Sequence, residues 1–301
     1  MLLALMACDG EPEAGTRGPH GSLRLQKRVL LADGVERDAQ GIPLAAPVSA
    51  AARDRVGRFL EMMVRPPLDE TSDLHDTWFH ETQKELKSLM ESGDEDLGHA
   101  ALHAFCGEVS EFSVTRRALL MIGASCAPEA ATPLLEELML TYGYRYDDRT
   151  EAALLLAQAD PERFLADVAT HLRRGSRPTK TWPPDEFLLK GWVEACRRLE
   201  QSPVEMCADV AVNLVLEPSA RYLAVEVLGR FPDDPLGRAA LETCLIESSG
   251  DGYVRRKSAQ AISVSFSRED ACSLLTDVLS KETDSNFAAF LRDTLTFLGC
   301  R

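Results

Sequence analysis

His99 and His103 stand four residues apart in GHAALHAF, and His75 and His80 lie shortly before them. Imidazoles at i and i+4 share one face of a helix, so with a carboxylate such as Glu108 they could present three ligands to a divalent metal. No HExxH motif and no cysteine pair accompanies them. The stretch reads equally well as an alanine-rich helix interface flanked by two polar residues, and no metal or other cofactor is expected. Cys126, in GASCAP, follows a helix end, where no helix N-terminus is at hand to make its thiol acidic and nucleophilic. There is no GxSxG, no SxxK in a suitable setting and no glycine-rich phosphate loop. The residues therefore point to a chain that is not an enzyme.

Two other stretches have the composition of a binding surface. TYGYRYDD, residues 141–148, packs Tyr142, Tyr144 and Tyr146 around Arg145. RRGSRPTKTWPP, residues 173–184, carries Arg174, Arg177, Lys180 and Trp182. Tyr, Trp and Arg most often carry the binding energy of protein interfaces. These eight residues are the candidate partner-binding set. The alternative is that Tyr142, Tyr146 and Trp182 only pack two long turns onto their own repeats.

The elements that would position these turns follow from composition and periodicity. Apolar residues make up 45% of the 301 and aromatics 6%, a balance that suits alanine- and leucine-packed helices better than a β-sandwich. From Pro47 onward the apolar spacing is helical. The sequence also repeats itself. VTRRALLMIG, DRTEAALLLA, ARYLAVEVLG and VRRKSAQAIS begin at 114, 148, 220 and 254, in steps of 34, 72 and 34. They share a small residue at the fifth place and an aliphatic at the ninth. A weaker copy, GWVEACRRLE, falls within the long step, and FAAFLRDTLT follows the last after 33 residues. Between the copies lie amphipathic segments such as PEAATPLLEELML, DPERFLADVATHL, PVEMCADVAVNLVL, PLGRAALETCLI and REDACSLLTDVL. Several open on proline beside an acidic residue, as first helical turns prefer. Each unit is thus a helical hairpin.

This pattern resembles the HEAT repeat in its short bacterial form, whose second helix runs V-R-x-x-A-x-x-x-L-G. The resemblance implies an all-α solenoid in which the small fifth residue permits close approach, the ninth fills the core and the glycine ends the helix. It covers residues 93–301 as the repeat array, with 48–92 as an N-terminal capping pair of helices. Arg116, Arg149, Arg221 and Arg255 recur at or beside the second place, with Asp148 and Asp251 just ahead of two of them. They are expected to form a ladder of ion pairs and hydrogen bonds between adjacent turns. A fold of this kind carries no activity with it. HEAT-like DNA glycosylases share the architecture, but their basic groove with aromatic and acidic residues has no counterpart here.

The first residues bear on location. Leu5-Met6-Ala7-Cys8 resembles a bacterial lipobox, which makes residues 1–7 the remnant of a signal peptide and Cys8 the lipidated residue. Asp9 looks like a residue that retains some lipoproteins at the inner membrane. Residues 8–47 read as a tether and strap: Gly10 to Ser22 is rich in Gly, Pro and charge, and turn signals continue to Pro47. No apolar run reaches the length of a membrane span. A net charge of −15 would repel polyanions, so nucleic acid is not an expected partner. Seven cysteines follow Cys8. In a reducing compartment they would be small buried hydrophobes. In an oxidising one, two pairings are reasonable, Cys196 with Cys207 across the turn Gln201-Ser202-Pro203, and Cys272 with Cys300 at one end of the last hairpin. The expectation is a lipid-anchored envelope scaffold that binds a protein partner, with an intracellular HEAT-like regulator as the alternative.

Overall fold

The structure, a computed structural model, describes residues 48–64, 73–106, 113–140, 145–174, 185–247 and 252–300. Every element among them is a helix. They are α1 (Ala50–Val64), α2 (Asp73–Glu91), α3 (Glu95–Cys106), α4 (Ser113–Cys126), α5 (Pro128–Leu140), α6 (Tyr146–Ala159) and α7 (Pro161–Arg174), followed by α8 (Asp185–Arg198), α9 (Val204–Val212), α10 (Pro218–Leu228), α11 (Pro235–Ile246), α12 (Gly252–Ser265), α13 (Arg268–Lys281) and α14 (Ser285–Leu298). The tether and strap residues lie outside the described residues.

Local chemistry sets many of the starts. α5, α7, α10 and α11 begin on Pro128, Pro161, Pro218 and Pro235, whose missing N–H would have had no helical partner in any case. Asp234, Ser267 and Asp284 cap α11, α13 and α14 by accepting backbone N–H groups of the first turn. Consecutive helices then pair as hairpins from α3–α4 to α13–α14, behind the pair α1–α2. The second helices stack in series, α2 on α4, α4 on α6, α6 on α8, α8 on α10, α10 on α12 and α12 on α14. Packing of α1 on α3, α7 on α9 and α9 on α11 builds the other layer. The expected all-α solenoid is the observed architecture.

Glycine acts differently from expectation at one place. Gly123 does not end its helix, because α4 continues to Cys126. A Cβ at Gly123 would lie 2.3 Å from Leu102 Cδ2, so the residue is small in order to seat Leu102 of α3. Gly229 does cap α10.

The recurring arginines have a role that their spacing did not disclose. All four are buried, and each reaches back across its hairpin turn to the penultimate carbonyl of the first helix. Arg116 Nη1 donates to Phe105 O at 3.3 Å, Arg149 Nη2 to Met139 O at 3.1 Å, Arg221 Nε to Ala211 O at 2.9 Å and Arg255 Nε to Leu245 O at 3.1 Å. The last carbonyls of a helix lack intrahelical partners and carry partial negative charge, so a guanidinium there satisfies both needs. The weaker copy has Trp192 at the arginine's place. Its hairpin is closed from the next one, where Asn213 Nδ2 donates to Arg173 O, again the penultimate residue of its helix, at 3.2 Å.

The ladder between repeats exists as well. Arg116 binds Asp148 through Nε at 3.0 Å and Nη2 at 2.9 Å, joining α4 to α6. Beside it Arg117 Nε lies 2.6 Å from Glu151 Oε2, and Arg255 pairs with Glu282 at 2.5 Å. Arg149 lies 4.2 Å from the centre of the Phe187 ring and Arg255 4.0 Å from that of Phe287, each on the next second helix. Asp251 lies outside the described residues.

Two measurements test these joints. Arg221→Ala removes a charged hydrogen bond from a buried carbonyl and should cost about 2–3 kcal/mol in urea unfolding. Lysine should not restore it, having no planar guanidinium to lie along the helix end. Burial, the larger effect, pushes the Glu151 carboxyl from 4.5 up to about 7 against the pull of Arg117. The unfolded carboxyl ionises first, so the folded state binds more protons across that window. Stability contributed at this site is therefore lost as pH rises from 4.5 to about 7. Glu151→Gln should flatten the profile, removing up to about 3 kcal/mol of difference between about pH 4 and pH 8. Unfolding midpoints with equal slopes in both proteins would refute it.

Candidate partner-binding edge

Because the hairpins stack in series, the C-terminal ends of first helices and the N-terminal ends of second helices lie along one edge. Three of the eight candidate binding residues are described there. Arg145 is the N-cap residue of α6 and is half-buried, Tyr146 opens α6 with 46% of its surface exposed, and Arg174 ends α7 in solvent. Tyr142, Tyr144, Arg177, Lys180 and Trp182 lie outside the described residues, as does Cys8.

Tyr146 leans on the next hairpin. Its hydroxyl donates to Glu186 Oε1 and accepts from Lys190 Nζ at 2.5 Å, while Lys190 also pairs with Glu186 at 3.0 Å. The ring meets Phe187 edge-on at 5.1 Å between centroids, and Lys190 Nζ stands 4.5 Å from the Tyr146 centroid. Burial, with the Glu186 hydrogen bond, pushes the Tyr146 phenol above its ordinary value. Burial alone would lower Lys190, but Tyr146 and Glu186 hold it above the usual lysine range. The phenol thus bridges an ammonium and a carboxylate whose charges offset each other. The cluster fastens the start of α6 to the start of α8.

The arrangement recurs two hairpins on. Lys257 Nζ sits 4.7 Å from the centroid of Tyr222 and 3.2 Å from Glu226, which joins the starts of α10 and α12. Sequence reasoning missed this second cluster. The available signal was a tyrosine near the start of one second helix and a lysine early in the next.

It also missed the turn after α9. The apolar run of PVEMCADVAVNLVL predicts a helix to Leu216, yet α9 stops at Val212. Asn213 breaks it, because its amide donates to Arg173 O and its Oδ1 accepts the Val215 N–H at 3.1 Å. Leu216 is buried as the anchor of the turn. Leu214 and Val215 are left outward, 51% and 64% exposed.

Of the histidines, His99 lies within the packing while His80 and His171 are exposed, and most described cysteines are buried. His99 is buried in α3 with Nε2 3.6 Å from Glu95, and among the described residues no three of His, Cys, Asp and Glu gather as a metal site. Cys126, the last residue of α4, is buried and donates to Leu89 O at 3.2 Å. No described helix is long and apolar enough to cross a membrane.

Of the two reasonable cysteine pairings, one is present. Cys272 and Cys300 are bonded, with Cα atoms 5.7 Å apart. Cys196 and Cys207 are instead free thiols. Both are buried, and burial pushes their thiols up to about 11 and about 12. The last hairpin has Ala288 where others carry arginine, and the disulfide closes it at the opposite edge. Arg268 Nη2 donates to Gly299 O at 2.6 Å beside the bond. Closing a loop with a separation of 28 residues should contribute roughly 3.5 kcal/mol by chain entropy. Cys272→Ser with Cys300→Ser should therefore lower the unfolding midpoint and raise hydrogen exchange in α13 and α14, while Cys196→Ser leaves the response to reductant unchanged. No protein family, no curated protein and no solved structure matches this chain.

Proposed function

We propose that the chain is a non-enzymatic, HEAT-like scaffold or adaptor that captures another protein through the turn edge spanning Tyr142 to Trp182. The observation that carries this reading is the Tyr146–Glu186–Lys190 cluster, which holds the starts of α6 and α8 together. Two tyrosine-, arginine- and tryptophan-rich stretches of the sequence lead into those helix starts, and in this reading a single partner engages both. The buried arginines cannot serve as a rival anion-binding face, since their guanidinium groups are spent on carbonyls and carboxylates within the solenoid.

In this reading the protein sits in the bacterial envelope, fastened by lipid on Cys8. The Cys272–Cys300 bond supports an oxidising compartment. The intracellular alternative draws on Cys126, Cys196, Cys207 and Cys244, which are buried thiols. Metabolic labelling with a fatty acid separates the two: label on the wild type and none on Cys8→Ser supports the envelope reading, and no label on either refutes it.

The binding edge is tested by affinity capture from solubilised membranes. Tyr144→Ala, Arg145→Ala and Trp182→Ala together should abolish capture of the partner and leave Tm unchanged. Undiminished capture, or loss of folding, would remove the proposal in favour of a packing role for these side chains.

A further inference from the structure

The turn edge continues beyond the tyrosine-rich turns, and its chemistry changes there. Leu214 and Val215 project from the α9–α10 turn. In the next hairpin Ile246, the last residue of α11, is 58% exposed and Tyr253, the second of α12, is 73% exposed. The Lys257–Tyr222 contact joins α10 to α12, so these side chains follow one another along the ends of two neighbouring hairpins. Exposed apolar residues that occur singly need no explanation, but a contiguous group does.

The α9–α10 turn is also built rather than loose. Asn213 is held on both sides, by Arg173 O and by the Val215 N–H, and its own carbonyl accepts the Leu216 N–H at 3.1 Å. With Leu216 buried beneath, the backbone displays Leu214 and Val215 in a fixed position. Fixing apolar side chains in advance spares a complex the entropy of ordering them.

The rim is acidic. Glu205 and Asp209 share the single guanidinium of Arg173, at 3.1 and 3.3 Å. Glu217 stands at the N-cap of α10 without capping it. The surplus carries the sign of the whole chain, whose net charge is −15.

We propose that this stripe docks an apolar polypeptide segment flanked by basic residues. Leu214 and Val215 enter its apolar face and Ile246 and Tyr253 extend the contact, while its lysines or arginines meet Glu205, Asp209 and Glu217. The same chemistry disfavours an anionic bilayer. The site rests on the reading of the turn edge as a protein-binding edge, but it occupies a different part of that edge.

The test uses the whole chain and two labelled synthetic peptides that share a Leu/Ile/Ala centre, one ending in lysines and one in glutamates. Fluorescence anisotropy should show binding of the lysine-ended peptide, weakening with salt, and at least about tenfold weaker binding of the glutamate-ended one. Leu214→Ser with Val215→Ser should lose about tenfold or more with Tm unchanged, since both side chains are exposed. Asn213→Ala should weaken binding too while leaving every apolar side chain of the stripe in place. No binding of the lysine-ended peptide, equal binding of the two peptides, an unaffected Leu214/Val215 variant, or co-sedimentation with anionic phospholipid vesicles that this variant abolishes would each overturn the proposal. Tyr144→Ala, Arg145→Ala and Trp182→Ala together should leave peptide binding unchanged, so failure of membrane capture and failure of this site are told apart.

Discussion

The array depends on one recurrent bond, from a side chain outside the first helix of a hairpin to that helix's penultimate carbonyl. In four hairpins the donor is an arginine early in the second helix. Without it, stacking would bury carbonyls that water no longer reaches, at a cost comparable to the gain from packing around them. With it, the chain can turn sharply and still cover the helix end. The donor also fixes the level at which the second helix begins, so that alanine and leucine positions of successive hairpins meet at the same height. The buried carboxylates Asp148, Glu151 and Glu282 then complete charges that the guanidinium groups have brought inside.

Most of the fold was legible in the sequence because helical repeats write themselves twice, in apolar period and in self-similarity. The hairpins and their stacking into a solenoid follow from that. The carbonyl contact did not, since periodicity reports which residues share a face of one helix and is silent on what a long side chain touches ten residues back across a turn. Gly123 misled for a related reason: the pattern's closing glycine was read as backbone chemistry, whereas its smallness serves Leu102 of the neighbouring helix. At Asn213 the apolar run outvoted a single polar residue, although asparagine is the side chain best able to take over from helical hydrogen bonding.

The cysteines divide along the same line. Equal distance from a turn places two residues at one level of a hairpin, and this argument serves both pairs. It does not say how deeply either lies, and Cys196 and Cys207 are buried in the packing while Cys272 and Cys300 are part-exposed near the surface. The candidate binding edge was readable only as composition. Its tyrosines, arginines and tryptophan were visible at once, whereas the Tyr146 and Tyr222 clusters needed the register of one repeat against the next.

The substitution of Trp192 for arginine has a consequence in the vocabulary of module shuffling. A hairpin closed by its own second helix is self-contained and can be duplicated or excised as one unit. The α7–α8 hairpin is closed by Asn213 from the hairpin that follows it, so neither can be moved without leaving an open helix end. Helices α7 to α10 are thus a single four-helix module, and the step of 72 residues is the repeat period from the α6 copy to the α10 copy across that piece. Recombination within this array has its natural cut points on either side of that block.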